Sequence, residues 1–260
     1  MARNRWIKVA EIGGAAAFWL IVWDLLSLLV GQEILLPSPL RVAEAAVGVM
    51  ADPHFWRIVA LSVVRILLGF LAALATGCLL AVLTVKFRVC RVLLTPLLKL
   101  VRAAPVASFI ILALVWIADG QVPAFIAFLM VVPIVWANVA QGIEQTDRQL
   151  LEMASVYRIG RWRTFFNIWV PSVMPYLMAA CTTGLGFAWK SGVAAEVICR
   201  PEFSIGKQLN DAKAYLETPE VFVWTATVIL LSVLFEKLFV KLAAMLQKRW
   251  FVEDGKGVAV

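Results

Sequence analysis

Residues 149–175 read QLLEMASVYRIGRWRTFFNIWVPSVMP. This basic, amphipathic run sits between two hydrophobic blocks, each long enough to cross a bilayer. Most connections between elements are short, and a longer one that keeps helical periodicity generally carries function. The run therefore reads as a docking surface on the cytoplasmic side of a membrane protein.

The composition supports that setting. Of 260 residues, 62% are hydrophobic and only 16% charged, and the mean hydropathy is +0.88. A soluble domain carries about 25% charged residues and no long apolar runs. A transmembrane helix needs about 20 predominantly apolar residues, and six such spans are predicted, at about 14–30, 58–84, 104–118, 122–140, 169–198 and 221–243. The third is short, and the hydrophobic stretch before it can extend it. The chain is thus expected to be an all-α integral membrane protein forming one membrane domain over 1–260, with a cytoplasmic loop at about 141–168. Its eleven tryptophans fit, because Trp gathers at membrane interfaces. The basic start, MARNRWIKVAEIGG, has no clear small-residue cleavage site, so the block after it reads as a retained first span.

Lys and Arg set the expected orientation. One side collects Arg3, Arg5, Lys8, Lys86, Arg88, Arg91, Lys99, Arg102, Arg148, Arg158, Arg161, Arg163, Lys248, Arg249 and Lys256. On the other side the bases are interleaved with Glu33, Glu44, Asp52, Glu202, Asp211 and other acids. The basic side is expected to be cytoplasmic, with both termini inside. The net charge of +7 is then a topology signal, and no nucleic-acid partner is expected. Two outer segments have content of their own: Leu36-Pro37-Ser38-Pro39 followed by a short amphipathic helix, and Pro201 to Glu220. Lys86 to Arg102 mixes leucines with bases and reads as an interfacial helix on anionic headgroups.

Several chemistries find no residues here. Cys78, Cys90, Cys181 and Cys199 form no CxxC pair, and His54 is the only histidine, so neither a metal site nor histidine-based catalysis is expected. No GxxxxGK[ST] loop is present to cradle ATP phosphates. No cofactor is expected, and driven work would have to be powered by another subunit.

Glu152-Met153-Ala154, Arg158 and Ile168-Trp169-Val170-Pro171 together resemble the "EAA" loop of ABC importer permeases. That pattern is E-A-A, three residues, Gly, nine residues, then I-x-L-P, and the spacing here fits throughout. Met153, Arg158 and Val170 depart from it, and Gly160 is expected to supply the turn in place of Arg158. Ser62-Val63-Val64-Arg65 with Gly69-Phe70, Leu36-Pro37-Ser38-Pro39, and Gly186-Phe187-Ala188-Trp189 through Ala194-Ala195-Glu196 look like the nitrate/sulfonate/taurine-type branch. The resemblance covers roughly residues 35–250. It implies a type I importer permease fold in the bacterial inner membrane. It also implies a second copy of the chain, two ATPase subunits that bind the ATP, and an extracytoplasmic substrate-binding protein delivering a small, anionic solute. Glu152, Met153, Ala154, Ser155, Arg158, Gly160 and Arg161 become the candidate docking residues. Small residues at Ala154 and Ser155 would let backbones approach closely, while Glu152 and the arginines could pair with charges on the partner.

Ionisable residues inside spans are functional candidates by default. Arg65, Lys190 and Glu196, with Asp24 behind them, are the candidates for a substrate pathway. Lys190 and Glu196 are six residues apart and so fall on different helix faces. Gly69, Ala73 and Gly77 recur four apart, a face suited to close helix packing. The rival reading is a secondary transporter or channel without an ATPase partner. It accounts for the spans and their charges but leaves the 149–175 run unexplained.

Overall fold

The computed structural model describes the backbone of residues 2–253 and the side chains of residues 13–241. The side chains of Arg3, Arg5, Lys8, Lys248, Arg249 and Lys256, used above for orientation, lie outside the described residues. The described chain is helical: α1 (Ala2–Val30), α2 (Pro39–Ala51), α3 (Pro53–Lys86), α4 (Arg88–Ala103), α5 (Val106–Ala113), α6 (Val122–Glu144), α7 (Arg148–Val156), α8 (Arg161–Thr164), α9 (Val170–Cys199), α10 (Ile205–Ala214) and α11 (Thr218–Glu253).

Local chemistry sets many of the boundaries. Ser38 caps α2 by accepting from the Arg41 N–H, and Pro39 opens the helix. Asp52 does the same for α3, accepting from the His54 N–H at 2.9 Å ahead of Pro53. A short polar side chain satisfying an orphan N–H, followed by Pro at the first position, is a start signal that needs no tertiary support.

Five helices are long and apolar enough to cross a bilayer: 13–30, 53–86, 122–144, 161–199 and 218–241. The segment expected at 104–118 behaves differently. Helix α5 has only eight residues, about 12 Å of rise, and it meets α4 at a bend of 104°. Pro105, which disfavours helix at Ala104, sits at the break. A sixth crossing therefore exists only as this broken pair, 88–113. Nor does α4 lie free on a surface: it stands against α3 and α6, burying Leu98 and Val101.

The core is the packing of α3 and α9 on α6. Ile66, Ala73, Val131, Val135 and Ala180 are fully buried at 0% exposure, and all belong to one apolar cluster. Close approach depends on glycine. A Cβ on Gly69 would run into the Ala124 carbonyl of α6, and one on Gly77 would lie 2.7 Å from Val135 Cβ. The Gly69–Ala73–Gly77 face is thus a helix–helix contact. On α9, Gly192 is filled by Ile66, whose Cγ1 would be 2.6 Å from an added Cβ.

A single helical run passes through Pro171 and Pro175. Residues 161–199 are continuous, because Phe165–Trp169 form a π-helical turn. Pro171 has no N–H for the Asn167 carbonyl and its ring crowds it. One extra residue in the turn relieves that clash and keeps the rod intact. The fifth span accordingly begins at Arg161, eight residues before the expected Trp169, and the loop placed at 141–168 is mostly helix.

Candidate functional site

The 149–175 run folds into a capped helix joined by a tight turn to the 161–199 rod. Asp147 caps α7, its carboxylate accepting from the Gln149 N–H at 2.8 Å. At the other end the Arg158 N–H donates to the Ser155 carbonyl at 3.1 Å, and the Ile159 N–H to the Ala154 carbonyl at 2.8 Å. This pair of bonds is the Schellman termination, which places one residue in the left-handed region. Arg158 occupies that position, at φ +52°. Gly160 does not supply the turn, since its φ is −59° and it serves as the N-cap of α8. Arg158 therefore stands where the pattern has glycine and adopts glycine's conformation itself, a strain of roughly 1 kcal/mol.

Helix α7 packs sparsely on the spans and turns distinct faces inward and outward. Ala154 is buried, at 3% exposure, beneath its own turn. Ala154, Leu151, Lys86 and Trp169 line a cleft of about 600 Å³ between α7, the end of α3 and the start of the 161–199 rod. Glu152, Met153, Ser155 and Arg161 are exposed, as are Val156, Tyr157 and Trp162, each more than 70% accessible. Of the two small residues expected to admit a partner's backbone, Ala154 thus faces the chain's own interior and Ser155 is exposed. The outward surface is larger and more apolar than the motif residues alone suggest. An apolar, exposed patch beside basic residues is what a docking face needs. Trp162 stacks on Phe166, centroids 6.3 Å apart, which fixes it next to the turn.

At the opposite end of the bundle, two of the three pathway candidates meet. Glu196 on α9 is fully buried, with 0% exposure. Its Oε2 accepts from Ser62 Oγ at 2.9 Å and from the Gly206 N–H at 3.2 Å. Ser62 Oγ in turn accepts from the Ile205 N–H at 3.0 Å. Arg65 donates to the Phe203 carbonyl at 3.1 Å and the Glu202 carbonyl at 3.0 Å, and its guanidinium lies 4.0 Å from Glu196 Oε1. These bonds clamp the 200–206 segment and the start of α10 between α3 and α9. Gly206 is required there, because a Cβ would overlap Glu196 and the Val197 N–H. Ser62 and the backbone N–H groups of Ile205 and Gly206 were not legible as site residues; they are 134 or more positions from their partner or are backbone. Lys190 is exposed on α9, away from this clamp, and Asp24 is exposed on α1.

These features define a polytopic, all-helical membrane protein with a short exposed helix at one end and a charged clamp at the other. Residues 53–252 match the family described as binding-protein-dependent transport system inner membrane component. The chain belongs to that family: it is an inner-membrane, multi-pass permease of an ABC importer, a transport component rather than an enzyme. Membership implies an ATPase and a substrate-binding protein as partners. The nitrate import permease protein NrtB of Synechocystis is 27% identical over 202 residues, 74% of this chain and 72% of that one. The taurine transport system permease protein TauC of Escherichia coli is 23% identical over 233 residues, 87% and 84% of the two chains. A crystal structure of an amino acid ABC transporter superposes with a TM-score of 0.55 at 13% identity, covering 74% of this chain and 93% of that one, which supports the fold.

Proposed function

We propose that this chain carries a small oxyanion across the inner membrane, handed over by an extracytoplasmic binding protein and driven by ATPases that dock on α7. The observation that carries the reading is α7 itself. It is capped at both ends and loosely held by the spans, and it presents Glu152, Met153, Ser155, Val156, Tyr157 and Arg161 to a partner. Arg158 and Gly160 shape the turn behind that face, and Ala154 seats the helix on its own chain. Arg148, Arg158, Arg161 and Arg163 around α7 support a cytoplasmic position for it. The chain binds no cofactor in this reading; ATP belongs to the partner.

Coupling follows from stiffness. A docked element with fixed ends transmits rigid-body motion. The turn 157–160 ties α7 directly to the rod of 161–199, so movement of α7 reaches the far end of α9. Two copies of the chain, each with one ATPase, would place the pathway between them. Arg65 and Glu196 hold the clamp, and the exposure of Lys190 supports assigning it, of the three charged candidates, to that pathway. Relatives named for nitrate and taurine transport support a cargo that carries an oxyanion group, nitrate itself or a sulfonate.

The test is co-purification with the ATPase and binding protein from neighbouring reading frames. Glu152→Ala with Val156→Arg should abolish ATPase association and uptake, with the permease still folded in the membrane. Unchanged association and uptake would refute docking on α7. Ligand binding by the partner binding protein identifies the solute, and a purely cationic ligand would refute the oxyanion.

A further inference from the structure

The cleft between α4 and α6 holds a set of basic residues, and part of it lies level with the middle of α6. Helix α4 runs antiparallel to α6. Arg91 pairs with Glu144 at one end of α6, and further along Lys99 and Arg102 share the cleft with Trp136 and Pro133. Val101 belongs to the cluster that includes Met130 and Ile126. Pro133 lies eleven residues before Glu144, about 16 Å along the helix. That is near the midpoint of the 23-residue α6. Lys99 and Arg102 are therefore not headgroup anchors of a helix lying on the surface.

Arg91, Thr95, Lys99 and Arg102 fall at i, i+4, i+8 and i+11, on one face of α4. Opposite them are Gln141 and the Trp136 indole, whose N–H is already donated to Thr84 Oγ1 at 2.9 Å. The cleft measures about 450 Å³, within the range of small-molecule sites. Glu144 neutralises Arg91. Among the described residues neither Lys99 nor Arg102 has a carboxylate within 4.0 Å, and both are exposed to the cleft. Ionisable groups at mid-span face water-filled cavities or partners, since the alternative is an uncompensated charge in hydrocarbon.

We infer that Lys99 and Arg102 bind the transported oxyanion in the α4–α6 cleft, with Thr95 and Gln141 as neutral hydrogen-bonding groups. The guanidinium presents paired donors to a planar or tetrahedral oxyanion and the ammonium adds a point charge. The inference rests on the oxyanion reading above and adds where the ion is held. An anionic lipid headgroup offers the same oxygen chemistry, so the test separates the two.

The experiment uses the full transporter, with its ATPase and binding protein, in vesicles of phosphatidylcholine alone and of phosphatidylcholine with phosphatidylglycerol. Nitrate, taurine and ethanesulfonate are the probes. Lys99→Gln with Arg102→Gln should lower uptake about tenfold or more in both vesicle types. ATPase pull-down should be retained, and Lys99→Arg with Arg102→Lys should recover much of the transport. In a second arm, Thr95→Cys and Ala137→Cys on the two walls should react with a water-soluble anionic thiol reagent, and the transported anion should slow that reaction. This arm keeps both charges and so stands even where the double variant fails to fold. Undiminished uptake by the Gln pair overturns the inference while leaving α7 docking intact. A defect confined to phosphatidylglycerol vesicles, or no thiol reaction at either wall, also overturns it. Transport by the wild-type complex of some other solute but none of the three anions removes the oxyanion reading along with the site.

Discussion

Replacing Glu196 with alanine removes the centre of the clamp joining α3, α9 and α10. The carboxylate accepts from Ser62 and from the Gly206 N–H, and it faces Arg65 at 4.0 Å. Each hydrogen bond to a charged group contributes about 1.5–3 kcal/mol. Breaking a buried pair by deleting one partner costs about 3–5 kcal/mol. These terms overlap, and Arg65 is 21% exposed and can recruit water, so we take the lower end, about 3 kcal/mol. At about 2–4 °C per kcal/mol the melting temperature in nanodiscs should fall by about 6–12 °C. The damage should be local first, because the carboxylate's hydrogen bonds reach α3 and the start of α10 directly. Amide exchange across 201–215 should accelerate while α6 stays protected. Glu196→Gln keeps one acceptor oxygen and should cost about 1 kcal/mol. Adding Arg65→Met to Glu196→Ala should recover part of the loss by removing the stranded charge. A melting temperature within about 2 °C of wild type, with unchanged exchange across 201–215, would refute this account of the clamp.

Three further outcomes follow from single positions. Arg158→Gly should stabilise the turn after α7 by about 1 kcal/mol, because it relieves a non-glycine residue at φ +52°; slower amide exchange at Ile159 is the readout. Gly69→Val should destabilise by at least about 1–3 kcal/mol through overpacking against the Ala124 carbonyl, seen as lost monodispersity on extraction. Accepting the His54 N–H holds the Asp52 carboxyl below the ordinary carboxylate range. A lowered value means that its capping contribution is complete above the ordinary pKa and is lost as pH falls through the lowered one. Relative to the unfolded chain at each pH, protection at the start of α3 should thus be flat from neutral pH down to about 5 and fall in stronger acid, and Asp52→Asn should remove that dependence.

Hydropathy located the five unbroken spans because each carries an apolar run long enough to read without tertiary information, and the spacing from Glu152 to Pro171 located α7. The broken third crossing escaped because α4 scatters bases among its leucines. Its charged face is intelligible only once α6 stands beside it. Arg158 in the left-handed region escaped because a sequence names the residue a turn prefers, not the strain it will accept. The clamp escaped for a different reason: Ser62 and Glu196 are 134 residues apart, and two of its five hydrogen bonds come from backbone N–H groups that carry no sequence signature. Lys190 is near Glu196 in sequence but on another face, as their six-residue spacing requires.

The account turns on α7 being the face that meets the ATPase. Val156 is 78% exposed on that helix, and Trp56 is 63% exposed at the other end of α3. Cysteine at each position, with a short bifunctional thiol cross-linker and the co-purified ATPase, compares the two surfaces directly. We predict a permease–ATPase adduct from Val156→Cys that ATP binding modulates, and none from Trp56→Cys. An associated ATPase that fails to cross-link at Val156, or links equally well at Trp56, would contradict the account.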